Sequence, residues 1–299
     1  LPSRHGQFHF WSRIKLGWSL RKENYQQAIV LTNSWKSALP VLFAGIKKRI
    51  GWRGEMRYGL LNDIRVLNKH RYPLMLQRFL ALCMKKNAKH PKWFQTFPEQ
   101  LKQKTMLSEQ KSLLPIFSVP EVDQQAVLKK LQLNVNKKIL ALCPGAAYGP
   151  SKRWPPEYFA EIANKKIAEG HEVWIFGAPN DREAAEKIAS LAEGKVINLT
   201  GKTNLSEAVV LLSFAHIVLT NDSGLMHVAC ALQKPVVALY GSSSPDFTPP
   251  LSEKVNIQYL RIECSPCFQR ECPLKHWRCM RDLTADKVLP AINSIEGEA

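Results

Sequence analysis

Residues 217–240 read IVLTNDSGLMHVACALQKPVVALY, and their hydrophobic pattern indicates the fold class of the chain. It begins with a short apolar run (217–220), continues with apolar residues at helical spacing (225–232) and ends with a second apolar run (235–240). Both runs are continuously apolar rather than alternating, which is typical of parallel strands buried on both faces. The stretch therefore predicts a strand, a helix and a second strand parallel to the first.

The same alternation extends back through the second half of the chain. The predicted strands span 137–143, 172–177 and 196–199, and the predicted helices span 155–169, 181–192 and 205–215. Sheets of this kind bind ligands in the crevice beyond the carboxyl ends of their strands. We therefore expect the loops that follow the strands, above all those after Cys143, Thr220 and Tyr240, to line one site.

The first half of the chain is less regular. It contains one clear apolar run, AIVLT (residues 28–32), together with helix candidates on either side of a polar, aromatic stretch. Residues 86–120 are rich in Lys, Gln and Pro, which predicts a linker. We place a domain boundary near Asn134, so that an N-terminal domain covers 1–134 and a C-terminal domain with a final helix covers 135–299.

Charge and composition narrow the function classes. The formal net charge is +17, from 42 Lys and Arg against 25 Asp and Glu. Such an excess attracts polyanions, so nucleic acid, anionic membrane surfaces and phosphorylated substrates stay open as partners, as does a basic surface kept for solubility. Apolar residues make up 45% of the chain, which excludes global disorder. No apolar run reaches the roughly 18 residues of a membrane span.

A glycine-containing loop, PGAAYGPSKRWP (residues 144–155), follows a predicted strand and opens a helix. Backbone N–H groups at a helix start favour a phosphate, and Lys152 adds a compact positive charge. The Gly-Lys-Ser/Thr ending of a nucleoside-triphosphate loop is absent. The loop predicts a diphosphate site, although an ordinary connection with a solvated basic pair, Lys152 and Arg153, fits the same residues.

A second turn, TNDSGLMHVA (residues 220–229), lies between a predicted strand and a helix. The amides of Ser223 and Gly224 can face an anion, and Gly224 lets a ligand approach the backbone closely. Asp222 lies in the turn, and His227 falls one helical turn further on the same side. We favour a binding site here over the alternative, in which Asp222 or Ser223 caps the helix and His227 belongs to the core.

A third loop, LYGSSSPDFTPP (residues 239–250), leads from a strand into small hydroxyl residues and prolines. Its hydroxyls can donate to and accept from a sugar or a phosphate. A simple surface turn is equally compatible with this composition.

The first half contributes a basic, aromatic segment, GWRGEMRYGLLNDIR (residues 51–65). Arg53 and Arg57 can make bidentate contacts to phosphates or carboxylates, and Trp52 offers an aromatic face to a sugar ring. The segment predicts an acceptor-binding surface, or else a basic loop packed by aromatic residues.

A cysteine-rich segment, CSPCFQRECPLKHWRC, covers residues 264–279. Its cysteines are Cys264, Cys267, Cys272 and Cys279, with His276 nearby. Four thiolates, or three with the histidine, can hold tetrahedral zinc, but the closing pair lacks the usual C-x2-C spacing. Reduced thiols, a structural metal and a redox role all stay open, and disulfides are disfavoured in a cytosolic protein.

Four of these segments, in this order, resemble the ADP-heptose–lipopolysaccharide heptosyltransferase II family: GWRGEMRYGLLNDIR, PGAAYGPSKRWP, TNDSGLMHVA and LYGSSSPDFTPP. The resemblance covers nearly the whole chain. It implies a GT-B fold, an α/β architecture in which two Rossmann-like domains face each other across a cleft. It also implies an inverting transfer of L-glycero-D-manno-heptose from ADP-heptose to the first heptose of the lipopolysaccharide inner core, without a metal or cofactor, in the cytoplasm at the inner face of the inner membrane.

The resemblance further implies which residues bind the donor. Lys152 would neutralise the diphosphate. The residues that would contact the donor sugar and phosphates are Asp222, Ser223, Gly224 and His227, and those that would meet the adenosine part are Thr203 and Asp181. The positive net charge fits an anionic inner-core acceptor and a peripheral contact with the membrane.

The chain departs from the family pattern at its start. Family members open with a strand and a glycine-containing loop that carries the catalytic Asp, whereas this chain begins at Leu1 without that segment. We therefore expect an incomplete N-terminal sheet and assign no catalytic base. Either the chain is a fragment of a longer protein, or it is a truncated and inactive remnant that still binds the donor.

A basic nucleic-acid-binding protein with a zinc module is the rival from another class. The net charge and the cysteine-rich segment favour it. Against it, the sequence has no helix-turn-helix, zinc-finger or RNA-binding motif, and its cationic residues are spread along the chain. We expect no nucleic-acid partner.

Overall fold

The computed structural model describes residues 9–86, 88–89, 91–92, 94–96, 114–192 and 196–297. The chain divides into two compact units, Leu1–Glu99 and Gln100–Ala299. The described part of the first unit ends at 96, and that of the second begins at 114.

The first unit contains a three-stranded parallel sheet in the order β1-β2-β3. The strands are β1 (Gln27–Val30), β2 (Lys48–Trp52) and β3 (Asp63–Arg65), and the helices are α1 (Phe10–Leu20), α2 (Trp35–Phe43) and α3 (Met75–Cys83). Its core packs Ile50 of β2 against Tyr72, Leu82 and Phe94. The apolar run at 28–32 thus forms a strand, as its composition predicts.

The second unit contains a six-stranded sheet in the order β6-β5-β4-β7-β8-β9, and all its pairings are parallel. The strands are β4 (Ile139–Cys143), β5 (Glu172–Ile175), β6 (Ile197–Asn198), β7 (Ile217–Asn221), β8 (Val236–Tyr240) and β9 (Val255–Tyr259). The helices are α4 (Glu121–Leu131), α5 (Pro156–Ala168), α6 (Arg182–Leu191), α7 (Leu205–Leu212), α8 (Gly224–Ala231), α9 (Arg278–Arg281) and α10 (Ala285–Gly297). Among the described residues, no helix combines the length and apolar character that a bilayer-crossing segment needs.

The division between the units differs from the boundary predicted near Asn134. Helix α4 belongs to the second unit, because Val127, Leu128 and Leu131 pack against its core, and Lys130 forms an ion pair with Glu207 of α7. The predicted linker over 86–120 falls largely outside the described residues.

The continuous apolar strands are explained by burial on both faces of the second sheet. Along β4, Leu140 and Leu142 point into one core, whereas Ile139, Ala141 and Cys143 point into the other. Each fully buried aliphatic side chain contributes about 1.5–3 kcal/mol, so neither face tolerates a polar residue cheaply. The predicted parallel sheet between helical layers is confirmed. Strand β9 escaped prediction because its residues alternate, VNIQY, at the edge of the sheet.

The strand order places a topological switch point between β4 and β7. From β4 the chain moves outward through β5 and β6, and then returns to the other side of β4 to form β7, β8 and β9. Ligands of open parallel sheets bind where the direction reverses in this way. The loop after β4 carries Lys152, and the turn after β7 carries Asp222.

At the opposite end of the strands, a buried ion cluster fastens the C-terminal helix. The Lys166 ammonium of α5 is 2% exposed and donates to Glu296 and Glu169, at 2.7 Å each, and to Asn293. His171 lies 2.7 Å from the other Glu296 oxygen. Burial opposes the charge of Glu296, but the hydrogen bonds and charges of Lys166 and His171 outweigh it and lower the pKa of Glu296 to about 2.

We predict that Glu296→Gln lowers the free energy of unfolding of the second unit by about 2 kcal/mol at pH 7. A folded-state pKa below the unfolded value means that Glu296 stabilises the fold at neutral pH, and that this contribution disappears as the pH falls from about 4.5 to about 2. Urea unfolding at pH 7 and pH 3 should therefore show a smaller difference between wild type and variant at pH 3. Glu161→Gln, at an exposed position of α5, should show no pH-dependent loss, and a Glu296→Gln deficit that is equal at both pH values would refute the account.

Candidate functional site

The loop after β4 (residues 144–155), which we call the lysine loop because it carries Lys152, and the turn after β7 meet at one point. Lys152 ends a short 3-10 turn, Pro150–Lys152, and its Nζ lies 2.6 Å from Oδ2 of Asp222. The Asp222 side chain is only 5% exposed, and that of Lys152 is 17% exposed. The Lys152 ammonium also lies 5.2 Å from the centre of the Tyr148 ring, which adds a cation–π contact. The two segments thus converge, as expected from the carboxyl ends of adjacent parallel strands.

Helix α8 begins beside this ion pair. Ser223 is its N-cap, and the Ser223 side chain makes no capping hydrogen bond. The amides of the first turn are therefore left for another acceptor, and the positive end of the helix dipole favours an anion there. Gly224 is exposed, and a Cβ added to it would meet no atom within 4 Å. Space for a ligand therefore adjoins the Gly224 backbone.

An apolar pocket of about 580 Å³ opens from the same point. Its wall includes Phe176, Leu205 and Leu225, with Thr203 and Asp181 among the polar residues. This volume lies within the range of small-molecule sites and suits a purine nucleoside. The structure thus places Thr203 and Asp181 at the same pocket as Ser223 and Gly224 at the start of α8.

The Asp181 carboxylate is held by its neighbours at the edge of this pocket. It accepts the backbone N–H of Ala178 at 3.0 Å and lies 3.3 Å from an Arg153 nitrogen. A Cβ on Gly145 would collide with this carboxylate, so Gly145 allows the loop after β4 to approach it. Arg153 was predicted only as a companion of Lys152, and its pairing with Asp181 connects the loops after β4 and β5.

His227 is largely withdrawn from water on α8. Burial lowers its pKa, while the charges of Asp222 and Lys152 act in opposite directions on it. The imidazole is therefore neutral near pH 7, and it can offer one donor and one acceptor to a bound hydroxyl or phosphate.

The loop after β8 is not a simple surface turn. Ser242, Ser243 and Ser244 are all buried, and the Tyr240 hydroxyl donates to the Thr248 carbonyl at 2.6 Å. Among the residues that the structure describes, the Ser243 hydroxyl has no hydrogen-bond partner. The loop therefore forms a packed wall beside the turn at Asp222.

Asn221 was not among the predicted site residues, but it holds two segments of the site together. Its carboxamide donates to the Pro144 carbonyl at 2.7 Å and accepts the Trp154 N–H at 3.2 Å. It thereby joins the end of β7 to both ends of the lysine loop. The sequence contains a signal for this role, because Asn221 ends the buried strand IVLTN. A buried carboxamide needs hydrogen-bond partners, which predicts contacts with neighbouring segments.

Two of the three predicted acceptor-binding residues are buried in the first unit, and for Arg57 the prediction is wrong. Arg57 is 1% exposed, and its guanidinium donates to the Thr32 carbonyl at 2.6 Å and to the Trp52 carbonyl. The Trp52 indole is also buried and donates to the Arg78 carbonyl. Burial of the Arg57 guanidinium excludes it from a surface that binds a ligand, whereas Trp52 still lines a pocket of about 370 Å³ in the first unit. Of the three residues, only Arg53 is exposed.

We predict that Arg57→Ala lowers the free energy of unfolding of the first unit by about 2 kcal/mol, since it removes the donor of the buried Trp52 carbonyl oxygen and of the partly buried Thr32 carbonyl oxygen. The matched variant Arg53→Ala should change it by less than about 0.5 kcal/mol. Chemical denaturation followed by tryptophan fluorescence measures both. A stable Arg57→Ala protein would contradict the structural role.

The four clustered cysteines line one small cavity of about 20 Å³ together with His276. Cys264 Sγ lies 3.9 Å from His276 Nε2, and all seven cysteines of the chain are free thiols. Burial, and then the charges of the other three, raise the pKa of Cys279 to about 11. In the part of the chain that the structure describes, no three His, Cys, Asp or Glu side chains are grouped as a metal centre requires. The hypothesis of a metal at these thiols gains no support from this arrangement.

A second pocket, of about 620 Å³, lies at the start of α5. Arg153, Tyr158, Lys187 and Trp277 are among its lining residues. None of the donor-binding residues predicted from the sequence lines it.

Known proteins match this chain over most of its length. The family model described as glycosyltransferase family 9 (heptosyltransferase) matches residues 13–278. Lipopolysaccharide heptosyltransferase 2 of Escherichia coli strain K12 is 41% identical over 299 residues, which cover 99% of this chain and 82% of that protein. Its counterpart in Salmonella typhimurium strain LT2 is 40% identical, with 100% and 83% covered.

A solved structure confirms the likeness of the fold. The E. coli ADP-heptose lps heptosyltransferase II superposes with a TM-score of 0.81 at 40% sequence identity, covering 97% of this chain and 82% of that one. The α/β architecture with two parallel sheets thus matches a heptosyltransferase structure, and both sequence and fold lead to one assignment. This chain belongs to glycosyltransferase family 9, the heptosyltransferases.

Proposed function

We propose that this chain transfers heptose from ADP-heptose to the inner core of lipopolysaccharide, and that its second unit binds the donor. The single observation that carries the proposal is the meeting of Lys152 and Asp222 beside the start of α8. Diphosphate departure requires compensation of the negative charge that develops on the leaving group. The Lys152 ammonium and the amides of the first helical turn supply that compensation without a metal ion.

The ion pair also indicates which part of the donor each residue contacts. A bound diphosphate competes with Asp222 for Lys152, because both are anions at one cation. Once Lys152 contacts the phosphates, the Asp222 carboxylate is left to accept hydrogen bonds from hydroxyls of the heptose. The adenosine lies in the apolar pocket near Thr203 and Asp181, and neutral His227 contacts the sugar or a phosphate.

The acceptor is the first heptose of the inner core, and the transfer inverts the anomeric centre. Inversion requires a base that takes the proton of the acceptor hydroxyl, and we assign no residue of this chain to that role. The first unit contacts the acceptor, with Arg53 as the one residue of the predicted set that remains accessible. The net charge of +17 favours an acceptor rich in phosphates and carboxylates and a peripheral contact with the cytoplasmic face of the inner membrane.

Calorimetry and mass spectrometry test this proposal in sequence. The purified chain should bind ADP-heptose, and with an acceptor that ends in one heptose it should give a product heavier by one heptose. Binding without product would reduce the function to that of a donor-binding remnant. Failure to bind ADP-heptose or ADP would refute the proposed donor site.

A further inference from the structure

The cysteine-rich segment contains a short stretch that crosses the lysine loop. We define residues 268–270 as the strap, and the part of the lysine loop that it crosses is residues 148–152. The Ser151 N–H donates to the Arg270 carbonyl at 3.1 Å, and the Ser151 hydroxyl donates to the Gln269 carbonyl. The Tyr148 hydroxyl donates to the Phe268 carbonyl at 2.6 Å. All three carbonyls of the strap thus accept hydrogen bonds from the lysine loop.

The strap is held on its other side by the loop after β8. The Phe268 N–H donates to the Ser242 carbonyl at 2.7 Å. The Ser242 hydroxyl donates to the Ser151 hydroxyl at 2.9 Å, and both serines are buried. The strap residues are exposed, and they connect the lysine loop to the loop after β8 over the buried pair of Ser151 and Ser242.

The backbones of Gly149 and Arg270 lie so close together that a side chain at position 149 would not fit. A Cβ on Gly149 would lie 2.5 Å from the Arg270 carbonyl oxygen, a distance at which the strap or the loop must move. Gly149 is thus required for the strap to lie directly on the loop, three residues before Lys152.

We infer that the strap is a positioning element that sets the place of the Lys152 ammonium, and so the affinity for the diphosphate of the donor. The inference rests on the proposed function, and it gives the cysteine-rich segment a role that the donor site alone does not explain. Misplacement of a charged group by about 1 Å is enough to weaken its contact with a reacting ligand strongly. The strap residues themselves do not touch the donor.

The nucleoside pocket provides an internal control, because none of residues 148–152 or 268–270 is among its lining residues. A change in the strap should therefore weaken ADP, which carries the diphosphate, and leave adenosine unaffected. A general loss of folding would weaken both ligands together.

The test compares the dissociation constants of ADP and adenosine by calorimetry on the full chain. Two variants loosen the strap: Gly149→Ala, and the double variant Ser151→Ala/Ser242→Ala. We expect each to weaken ADP at least roughly tenfold and adenosine less than about twofold. Ser190→Ala is the matched control and should change neither, because Ser190 is exposed and its hydroxyl donates to the Lys187 carbonyl of the same helix, α6.

A double-mutant cycle checks that the effect passes through Lys152. In a Lys152→Ala background the strap variants should weaken ADP by less than about a further twofold, because the group that they position is gone. Equal loss of ADP and adenosine, no loss of either, or full additivity with Lys152→Ala would each overturn the inference. If Gly149→Ala fails to fold, the double serine variant carries the test, since it removes atoms and creates no clash. Absence of ADP binding in the wild type would instead refute the proposed function.

Discussion

Lys152→Ala should lower kcat/KM for ADP-heptose at least roughly tenfold, or about 1.4 kcal/mol, and should weaken ADP by a similar factor. The lysine brings a positive side chain to the turn that precedes α8, where its partner Asp222 is buried. Removing the ammonium deletes a charge-assisted contact with the phosphates. It also leaves the Asp222 carboxylate unpaired, which places a negative charge where the diphosphate must bind.

Lys165→Ala is the control for this variant, because Lys165 is an exposed lysine of the same unit whose ion pair with Asp286 lies on the surface. It should leave both quantities within about twofold. Wild-type ADP affinity in Lys152→Ala would remove the lysine from the site. Initial rates with ADP-heptose, together with ADP titrations, measure the two effects separately.

Asp222→Ala should affect ADP-heptose and ADP differently. We expect kcat/KM for ADP-heptose to fall at least roughly tenfold, because the carboxylate that accepts the heptose hydroxyls is lost. ADP lacks the sugar, and it no longer competes with Asp222 for Lys152, so its affinity should stay the same or rise. The two variants therefore separate recognition of the diphosphate from recognition of the sugar.

Asp222→Asn refines this prediction by keeping the shape and one acceptor oxygen while removing the charge. It should recover part of the lost rate and retain the unchanged or higher affinity for ADP. If Asp222→Ala weakened ADP as much as Lys152→Ala does, the ion pair would act as a unit in binding phosphate, and the assignment of Asp222 to the sugar would be wrong.

The second sheet and the place of its site could be predicted because they depend on local patterns. Buried parallel strands must be apolar along their whole length, as in Ile217 to Leu219, and their order directs the following loops to one edge. A lysine after β4 and an aspartate after β7 were therefore expected near each other before any distance was known.

Contacts between residues distant in sequence could not be predicted in this way. Arg57 lies in a basic, aromatic segment of the kind that binds ligands. It is nevertheless buried, and its guanidinium donates to the Thr32 carbonyl, 25 residues away in the sequence. The Ser151 hydroxyl bonds a carbonyl 118 residues further on, and no local pattern encodes which carbonyl that is. Helix α4 likewise belongs to the second unit through its packing against that core and through the contact of Lys130 with Glu207, 77 residues away.

A crystal structure of this chain with ADP would show whether the start of α8 and Lys152 together bind a diphosphate. We expect phosphate oxygens within hydrogen-bond distance, about 3 Å, of Lys152 Nζ and of the amides at Ser223 and Gly224, with the adenine in the apolar pocket beside Leu205. A diphosphate bound instead against Arg153 and Lys187 in the pocket at the start of α5, with Lys152 still paired to Asp222, would contradict it.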